Sequence, residues 1–285
     1  THGEDGTLQG LMELADIPYV GCGVLASAVA NDKSLAKDVL SQHDIPIVEG
    51  LTFTRKQWLT DRDALLEQIT STYAYPLFVK PTTLGSSIGI SRVEDANLLI
   101  PSIDLATNFD RRVIVEPAIT DSVEINCSVM GFDGDYRASV LEQPVSWQEF
   151  LTYEEKYMRG GEGMKSAERI IPAPLEDDLT AKIQSMAIDA FAAIDGHGIA
   201  RIDFLVRPEK HEIYLNEINT MPGSLSFYLW HETDLSAEQV VEYLVKLARD
   251  AYAEKRRTTF NYQTSLIELT ASRGLKGLKG TKSSS

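Results

Sequence analysis

Residues 199–206 and 212–219 are strand-like and flank the polar string Arg207-Pro-Glu-Lys-His211, so they read as an antiparallel hairpin. With the turn centred near position 210, Asp203 lies opposite Glu217 and Arg201 opposite Asn219. Period-two alternation then puts all four side chains on one face of the sheet. Two carboxylates and an amide oxygen so placed suit Mg²⁺, which takes one or two carboxylates and leaves its other positions to water and phosphate oxygens. A solvated face carrying cross-strand ion pairs would show the same pattern. A second candidate is Lys80-Pro-Thr-Thr-Leu-Gly-Ser-Ser-Ile-Gly89, a charge at the end of a strand followed by small and hydroxyl residues. Its N–H groups and hydroxyls could cradle phosphate oxygens while Lys80 supplies charge, or the segment is a plain hairpin turn. No GxxxxGK[ST] string occurs, which removes the P-loop enzymes. Lys33 and Lys156 taken singly are ordinary solvated lysines.

A competing motif is Gly21-Cys-Gly23-Val-Leu-Ala26, which fits GxGxx[GA] between a strand candidate and a helix, with Glu49 after the next strand. It would make the chain an NAD-binding oxidoreductase. Against it, both strand candidates carry proline, there is one such unit, and the hairpin acids have no role in hydride transfer.

The elements that must hold these residues follow from periodicity. Apolar spacing predicts helices over 8–15, 27–41 and 176–194, and strands over 17–20, 45–48, 77–80, 88–92, 112–116 and 124–130. Thr60-Asp-Arg-Asp63 resembles a capping box opening a helix through Tyr73, and Ser236-Ala-Glu-Gln239 one opening a last helix to about Lys255. The glycine-rich, charged stretch 148–173 reads as a mobile loop, and the Gly/Lys/Ser-rich end as disordered.

At 285 residues against roughly 150 per domain, two domains are expected. The balance of 27 Lys+Arg against 42 Asp+Glu, net −15, argues against a nucleic-acid partner, so any phosphate must be held by a few local cations. The apolar runs fall short of the roughly 20 residues that span a bilayer, so no membrane partner is expected. Cys22 and Cys127 have no CxxC spacing and read as buried thiols of a reduced compartment, the cytoplasm. His43, His197, His211 and His231 have no ligand spacing and read as structural or solvated. The chain starts at Thr1, inside what looks like a motif, so its N-terminus is expected to be cut.

Taken together, His2-Gly-Glu-Asp-Gly-Thr-Leu-Gln-Gly10, the 80–89 loop, Tyr153-Glu-Glu-Lys-Tyr157, Arg201-Ile-Asp203 and Glu217-Ile-Asn-Thr-Met-Pro-Gly223 resemble, in order and spacing, the D-alanine:D-alanine ligases of the ATP-grasp superfamily. The resemblance runs from residue 1 to about 255. It implies an α/β (α+β) ATP-grasp fold, two α/β domains clamping ATP, with the remnant of an N-terminal Rossmann-like domain. The implied division is 1–22 for that remnant, 23–120 and 121–256 for the central and C-terminal ATP-gripping domains, and 257–285 for the tail.

The resemblance makes Lys33, Lys80 and Lys156 phosphate ligands of ATP, Glu116, Pro117, Ala118 and Ile119 the hinge that binds adenine, and Glu124 the ribose ligand. Asp203, Glu217 and Asn219 would hold two Mg²⁺ ions, with Mn²⁺ as an alternative. Arg201 and the N–H of Gly223 would stabilise the oxyanion, and Ser86 and Tyr157 would fix the closed loop. Glu4, Ser226, Tyr228 and Leu229 fall on the substrate side. Tyr157 marks D-alanine as second substrate, where D-lactate ligases usually carry His or Phe. Two departures stand out: Pro117 where relatives often have lysine, and Tyr228 where many have serine, which leaves D-serine open as acceptor. The family's N-terminal glutamate and histidine that complete the first D-alanine pocket are missing from the sequence. A fragment of a functional ligase is therefore expected, against the alternative of a non-catalytic ATP-binding remnant. The partners implied are small molecules, D-alanine and ATP, with a homodimer as the common family state.

Overall fold

The computed structural model describes residues 2–144, 169–233 and 235–259. The chain divides into two units, Thr1–Ala251 and Tyr252–Ser285; of the second, residues 252–259 are described, and they finish a helix. Three short helices open the first unit: α1 (Thr7–Leu14), α2 (Val24–Asn31) and α3 (Lys33–Ser41). The helix expected over 27–41 is thus two. Asp32, in extended conformation, separates them because its carboxylate caps α3, accepting from the N–H groups of Ser34 and Leu35 at 3.1 Å.

A four-stranded sheet follows, built from β1 (Leu51–Thr54), β2 (Leu77–Pro81), β3 (Ser91–Val93) and β4 (Arg112–Pro117) in the order β1-β4-β2-β3, every pair antiparallel. Helices α4 (Arg55–Thr60), α5 (Arg62–Thr72) and α6 (Ala96–Phe109) cover it with Trp58, Leu65, Ile69, Leu99 and Ile103, which pack on Phe53, Leu77, Val79, Val113 and Val115. A second sheet takes β5 (Val123–Phe132), β6 (Asp135–Pro144), β7 (Arg169–Ile170), β8 (Gly198–Arg207) and β9 (Glu212–Asn219) in the antiparallel order β7-β6-β5-β8-β9. One face of it packs on α7 (Asp177–Ala193) through Leu179, Ile183, Ala190 and Phe191. On the other, α8 (Phe227–His231) and α9 (Ala237–Lys255) bury Trp230, Val240 and Leu244 against Met130 and Ile199. No helix among the described residues is long and apolar enough to cross a membrane.

Several sequence expectations are corrected. Residues 17–20 are irregular, and the strand expected at 45–48 is a single parallel bridge, Ile47 to Leu215; Pro46 has no N–H for a ladder and contributes only its carbonyl, to the Leu215 N–H at 2.8 Å. The strand expected at 88–92 shrinks to β3 because Ser86, Ser87 and Gly89 have positive φ. The capping box near position 60 is instead Thr54 with Gln57, opening α4, and α5 starts after Asp61 with no side-chain cap. The Ser236/Gln239 box holds, at 2.8 and 3.3 Å. Part of the 148–173 loop and most of the 257–285 tail lie outside the described residues.

A buried ion cluster fastens α3 to the small sheet. Glu116 of β4 is 2% exposed; one of its oxygens meets Lys80 of β2, and the other lies 2.7 Å from the Lys37 ammonium of α3. Burial would raise the Glu116 carboxyl, but the two ammonium groups overcome it and hold the carboxyl at about 2, below its ordinary 4.5. The cluster thus stabilises the fold above about pH 4.5, and that contribution is lost as pH falls through the native value.

Two predictions follow from this packing. Phe191→Ala, at a fully buried ring, should cost about 3–5 kcal/mol in chemical denaturation, whereas Leu59→Ala, at a side chain 73% exposed, should stay within about 0.5 kcal/mol. Glu116→Gln should destabilise by about 3–5 kcal/mol at pH 7. Its deficit relative to the parent should shrink as denaturation is repeated from pH 5 down to pH 2; a deficit independent of pH would refute the ionised cluster.

Candidate functional site

A cleft of about 490 Å³ is walled by both sheets. Among the residues singled out from sequence, Glu4, Lys33, Lys80, Ser86, Glu116, Pro117, Ile119, Glu124, Arg201, Asp203, Glu217, Asn219 and Gly223 line it. Lys156 and Tyr157 lie outside the described residues. Ala118, Ser226, Tyr228 and Leu229 are not among the residues that line it. The N–H of Ala118 is spent on the Pro76 carbonyl at 2.9 Å. Ser226 and Leu229 are fully buried, and the Tyr228 hydroxyl donates to Glu142 at 2.8 Å.

The hairpin wall is aimed by a bulge. Next to the turn, Val206 pairs with Ile213 and Phe204 with Leu215, but Asp203 then pairs with Glu217 and Arg201 with Asn219, so Asn216 is the extra residue. Unbroken alternation from Leu215, which faces the α7 core, would send Glu217 and Asn219 into that core as well. The bulge reverses the parity: Ile218 enters the core, and Glu217 and Asn219 join Asp203 at the cleft. The expected register is therefore right at the acids and one residue off near the turn.

The face is not the solvated ladder of cross-strand pairs that the sequence also allowed. Asp203 is 1% exposed and takes a two-pronged contact along its own strand, from Arg201 Nε at 2.7 Å and Nη2 at 2.6 Å, and another from Asn219 Nδ2 at 2.8 Å. Burial raises the Asp203 carboxyl; Arg201 opposes this, while Glu217 and Glu124 add to it. Excess negative charge in a dry place is what a divalent cation relieves, and the donor set of two carboxylates and an amide oxygen fits one. Among the described residues no group of three or more His, Cys, Asp or Glu converges on a metal position. Any cation here would complete its shell from water or a ligand.

Across the cleft stand the lysines. Lys33 donates to the Leu84 carbonyl at 2.8 Å and lies 3.7 Å from Glu217; Lys80 rests on Glu116. The 80–89 loop leaves β2 under the grip of Asp110, whose Oδ2 accepts from Thr83 N–H at 2.9 Å, Thr83 hydroxyl at 2.9 Å and Thr82 hydroxyl at 3.1 Å. Both loops on the rim hold non-glycine residues in the left-handed region: Ser86 and Ser87 at φ 55 and 60, and Ser224, Leu225 and Ser226 at φ 50, 46 and 52. Such conformations cost roughly 1–3 kcal/mol each and gather at ligand-handling sites.

Some contributors escaped the sequence reading. Lys37, Glu142 and Asn126 support the site from buried positions, and nothing local distinguishes them from residues of ordinary helices and strands. The GxGxxA glycines serve packing instead of a dinucleotide. A Cβ on Gly23 would come within 2.7 Å of His197 Nε2, and one on Gly198 within 2.7 Å of the Gly21 carbonyl oxygen.

Comparison with known proteins agrees with this geometry. The family model described as D-ala D-ala ligase C-terminus matches residues 39–246. A D-alanine--D-alanine ligase of Thermosipho africanus is 38% identical over 269 residues, 94% of this chain and 71% of that protein. Its counterpart from Acetivibrio thermocellus is 43% identical over 255 residues, 88% and 66% of the two chains. Among solved structures, the D-alanine-D-alanine ligase from Coxiella burnetii superposes with TM-score 0.74 at 31% identity, covering 96% of this chain and 70% of that one. The VanG D-Ala:D-Ser ligase from Enterococcus faecalis gives 0.76 at 35% identity, covering 87% and 70%. With two antiparallel sheets facing one cleft and relatives at this identity over most of its length, the chain belongs to the D-alanine:D-alanine ligase family.

Proposed function

We propose that this chain forms the nucleotide-gripping part of an ATP-dependent ligase that joins two D-alanines through an acyl phosphate. ATP use goes with the family. The observation that carries the reading is the cleft itself, which brings Lys33 and Lys80 together with Asp203, Glu217 and Asn219. That pairing suits a polyphosphate and its cations, and it has no use in hydride transfer.

In this reading Lys33 and Lys80 bind phosphate oxygens, the hinge at Glu116, Pro117 and Ile119 receives the adenine, and Glu124 holds the ribose. Asp203, Glu217 and Asn219 would hold Mg²⁺, or Mn²⁺, which when bound neutralises phosphate charge. The carboxylate of the first D-alanine attacks the γ-phosphate, whose bond to ADP breaks so that ADP leaves; the amine of the second then attacks the acyl carbon, loses a proton and expels inorganic phosphate. Arg201, whose guanidinium Asp203 engages along one edge, and the N–H of exposed Gly223 stabilise the oxyanion. Removal of one such donor typically costs ~10²–10³ in rate. Ser86, on the cleft rim, and Lys156 and Tyr157 would close over the reactants, excluding the water that would hydrolyse an acyl phosphate. The partners are small molecules. The cytoplasm is kept as compartment because Cys22 and Cys127 are both buried and free.

One observation favours a second acceptor, D-serine. A phenol has a single proton, and that of Tyr228 goes to Glu142, itself 2% exposed. Burial and the Glu142 charge push the Tyr228 hydroxyl up to about 12, so it stays protonated. What it offers a substrate is a lone pair. That suits a hydroxyl or amine donor better than a carboxylate.

The purified protein should release phosphate from ATP only when D-alanine is present. Equal rates with D-lactate at neutral pH, or ATP binding without turnover, would overturn the assignment, the latter in favour of a non-catalytic remnant. Acceptor choice is read by mass spectrometry of products from mixed D-alanine and D-serine. Tyr228→Phe should lower the D-seryl share by about fivefold, the worth of one hydrogen bond. An unchanged share would remove Tyr228 from acceptor selection.

A further inference from the structure

The Lys37–Glu116–Lys80 cluster carries a charge arrangement that neither the lysines of the cleft nor the hinge explains. One carboxylate lies between two ammonium groups, so one lysine suffices to neutralise it and the other leaves a net positive charge. The two are not equivalent in position. Lys80 lines the cleft, whereas Lys37 does not; Lys37 borders a separate notch of about 270 Å³ between α3 and the small sheet. It also donates to the Val48 carbonyl at 2.8 Å, which holds it in place against Glu116. Burial lowers the Lys37 ammonium, while the attraction of Glu116 opposes that loss.

From this geometry we infer that Lys37 is a positioning residue for nucleotide binding: it neutralises Glu116 from behind, so that the charge of Lys80 remains available to an anion in the cleft. The inference rests on the ATP-dependent reading above. Without Lys37, Glu116 and Lys80 form a closed pair of zero net charge, and a phosphate must pull Lys80 away from a buried carboxylate that has no other partner. Such a carboxylate is strongly destabilised. Lys37 would therefore act on ATP without touching it, and its removal should be reversed by removing the charge it serves.

The test is affinity for ATP and for inorganic tripolyphosphate, which has no adenine to engage the hinge, by calorimetry, alongside steady-state kinetics and thermal melts, for Lys37→Met, Lys37→Gln, Lys37→Arg and the double variant Lys37→Met/Glu116→Gln. Lys37→Met should weaken ATP binding by about tenfold, raising KM for ATP more than it lowers kcat. Lys37→Arg, which keeps the charge, should bind within about twofold of the parent. Because Glu116 belongs to the hinge, the double variant is read with tripolyphosphate, for which it should recover most of the affinity that Lys37→Met loses, since Lys80 no longer has a carboxylate to hold it. Lys37→Gln, whose amide can keep the hydrogen bond to the Val48 carbonyl, should lose affinity as Lys37→Met does, so the proposal stays testable if Lys37→Met folds poorly. Parental affinity in folded Lys37→Met or Lys37→Gln, or a double variant that binds tripolyphosphate no better than the single one, would reduce Lys37 to a structural role and overturn the inference. Absence of ATP binding by the parent protein would be a different failure: it would sink the ligase reading, and this inference with it.

Discussion

The cost of burying charge shapes this molecule more than any other constraint. A carboxylate removed from water is tolerated where cations and hydrogen bonds replace the lost hydration, and Glu116 and Asp203 are both almost wholly removed from it. Each is satisfied differently. Glu116 has an ammonium for each oxygen, and it comes out more acidic than a free carboxyl. Asp203 has one guanidinium and an amide, with two further carboxylates nearby, and it comes out less acidic. The two walls of the cleft are therefore of opposite character: surplus positive charge on the small sheet and surplus negative charge on the large one. A polyphosphate with its metal ions matches both at once.

Holding such walls face to face requires stiff support. The small sheet is backed by α4, α5 and α6, and the large sheet by α7, with α8 and α9 at one end of its other face. Asp32 ties α3 to the small sheet. It caps α3, accepts from Arg112 of the small sheet at 2.7 Å, and lies next to Lys33 of the cleft. The rim loops at Ser86–Ser87 and Ser224–Leu225–Ser226 carry consecutive left-handed residues, and the regular strands carry the walls. The net charge of −15 is no obstacle to binding an anion, because the lysines that matter are local and held in place.

Much of the site could be read directly from the sequence, and the misses have identifiable causes. The acids and arginine of the hairpin, the 80–89 loop and its lysine came from residue type and spacing alone. Helix α6 did not, because Pro101 stands inside it; the helix forms nonetheless, since Asp95 caps its start and Leu99, Ile103 and Ala106 bury against the sheet. The continuous apolar pattern over 27–41 concealed the break at Asp32, whose carboxylate caps α3 and also accepts from an arginine 80 residues away. Tyr228 and Ser226 were placed at the substrate on sequence position; the burial of Ser226 and the contact of Tyr228 with Glu142 are products of the fold that residue type does not show.

What the sequence determined by itself is local: the alternation that makes β8 and β9 strands, the polar turn that joins them, and the identity of the residues able to do chemistry. Tertiary structure decided which of these meet. The bulge at Asn216 is the clearest case, because it lets Leu215 and Ile218 both reach the α7 core while Glu217 and Asn219 face the cleft, and no two-residue period encodes that reversal. The pairing of Lys37 with Glu116 is another, a contact between residues 79 apart in number whose charges became partners when helix and sheet closed over them. Burial converts a common surface residue type into a specific electrostatic element, and burial is a property of the folded chain.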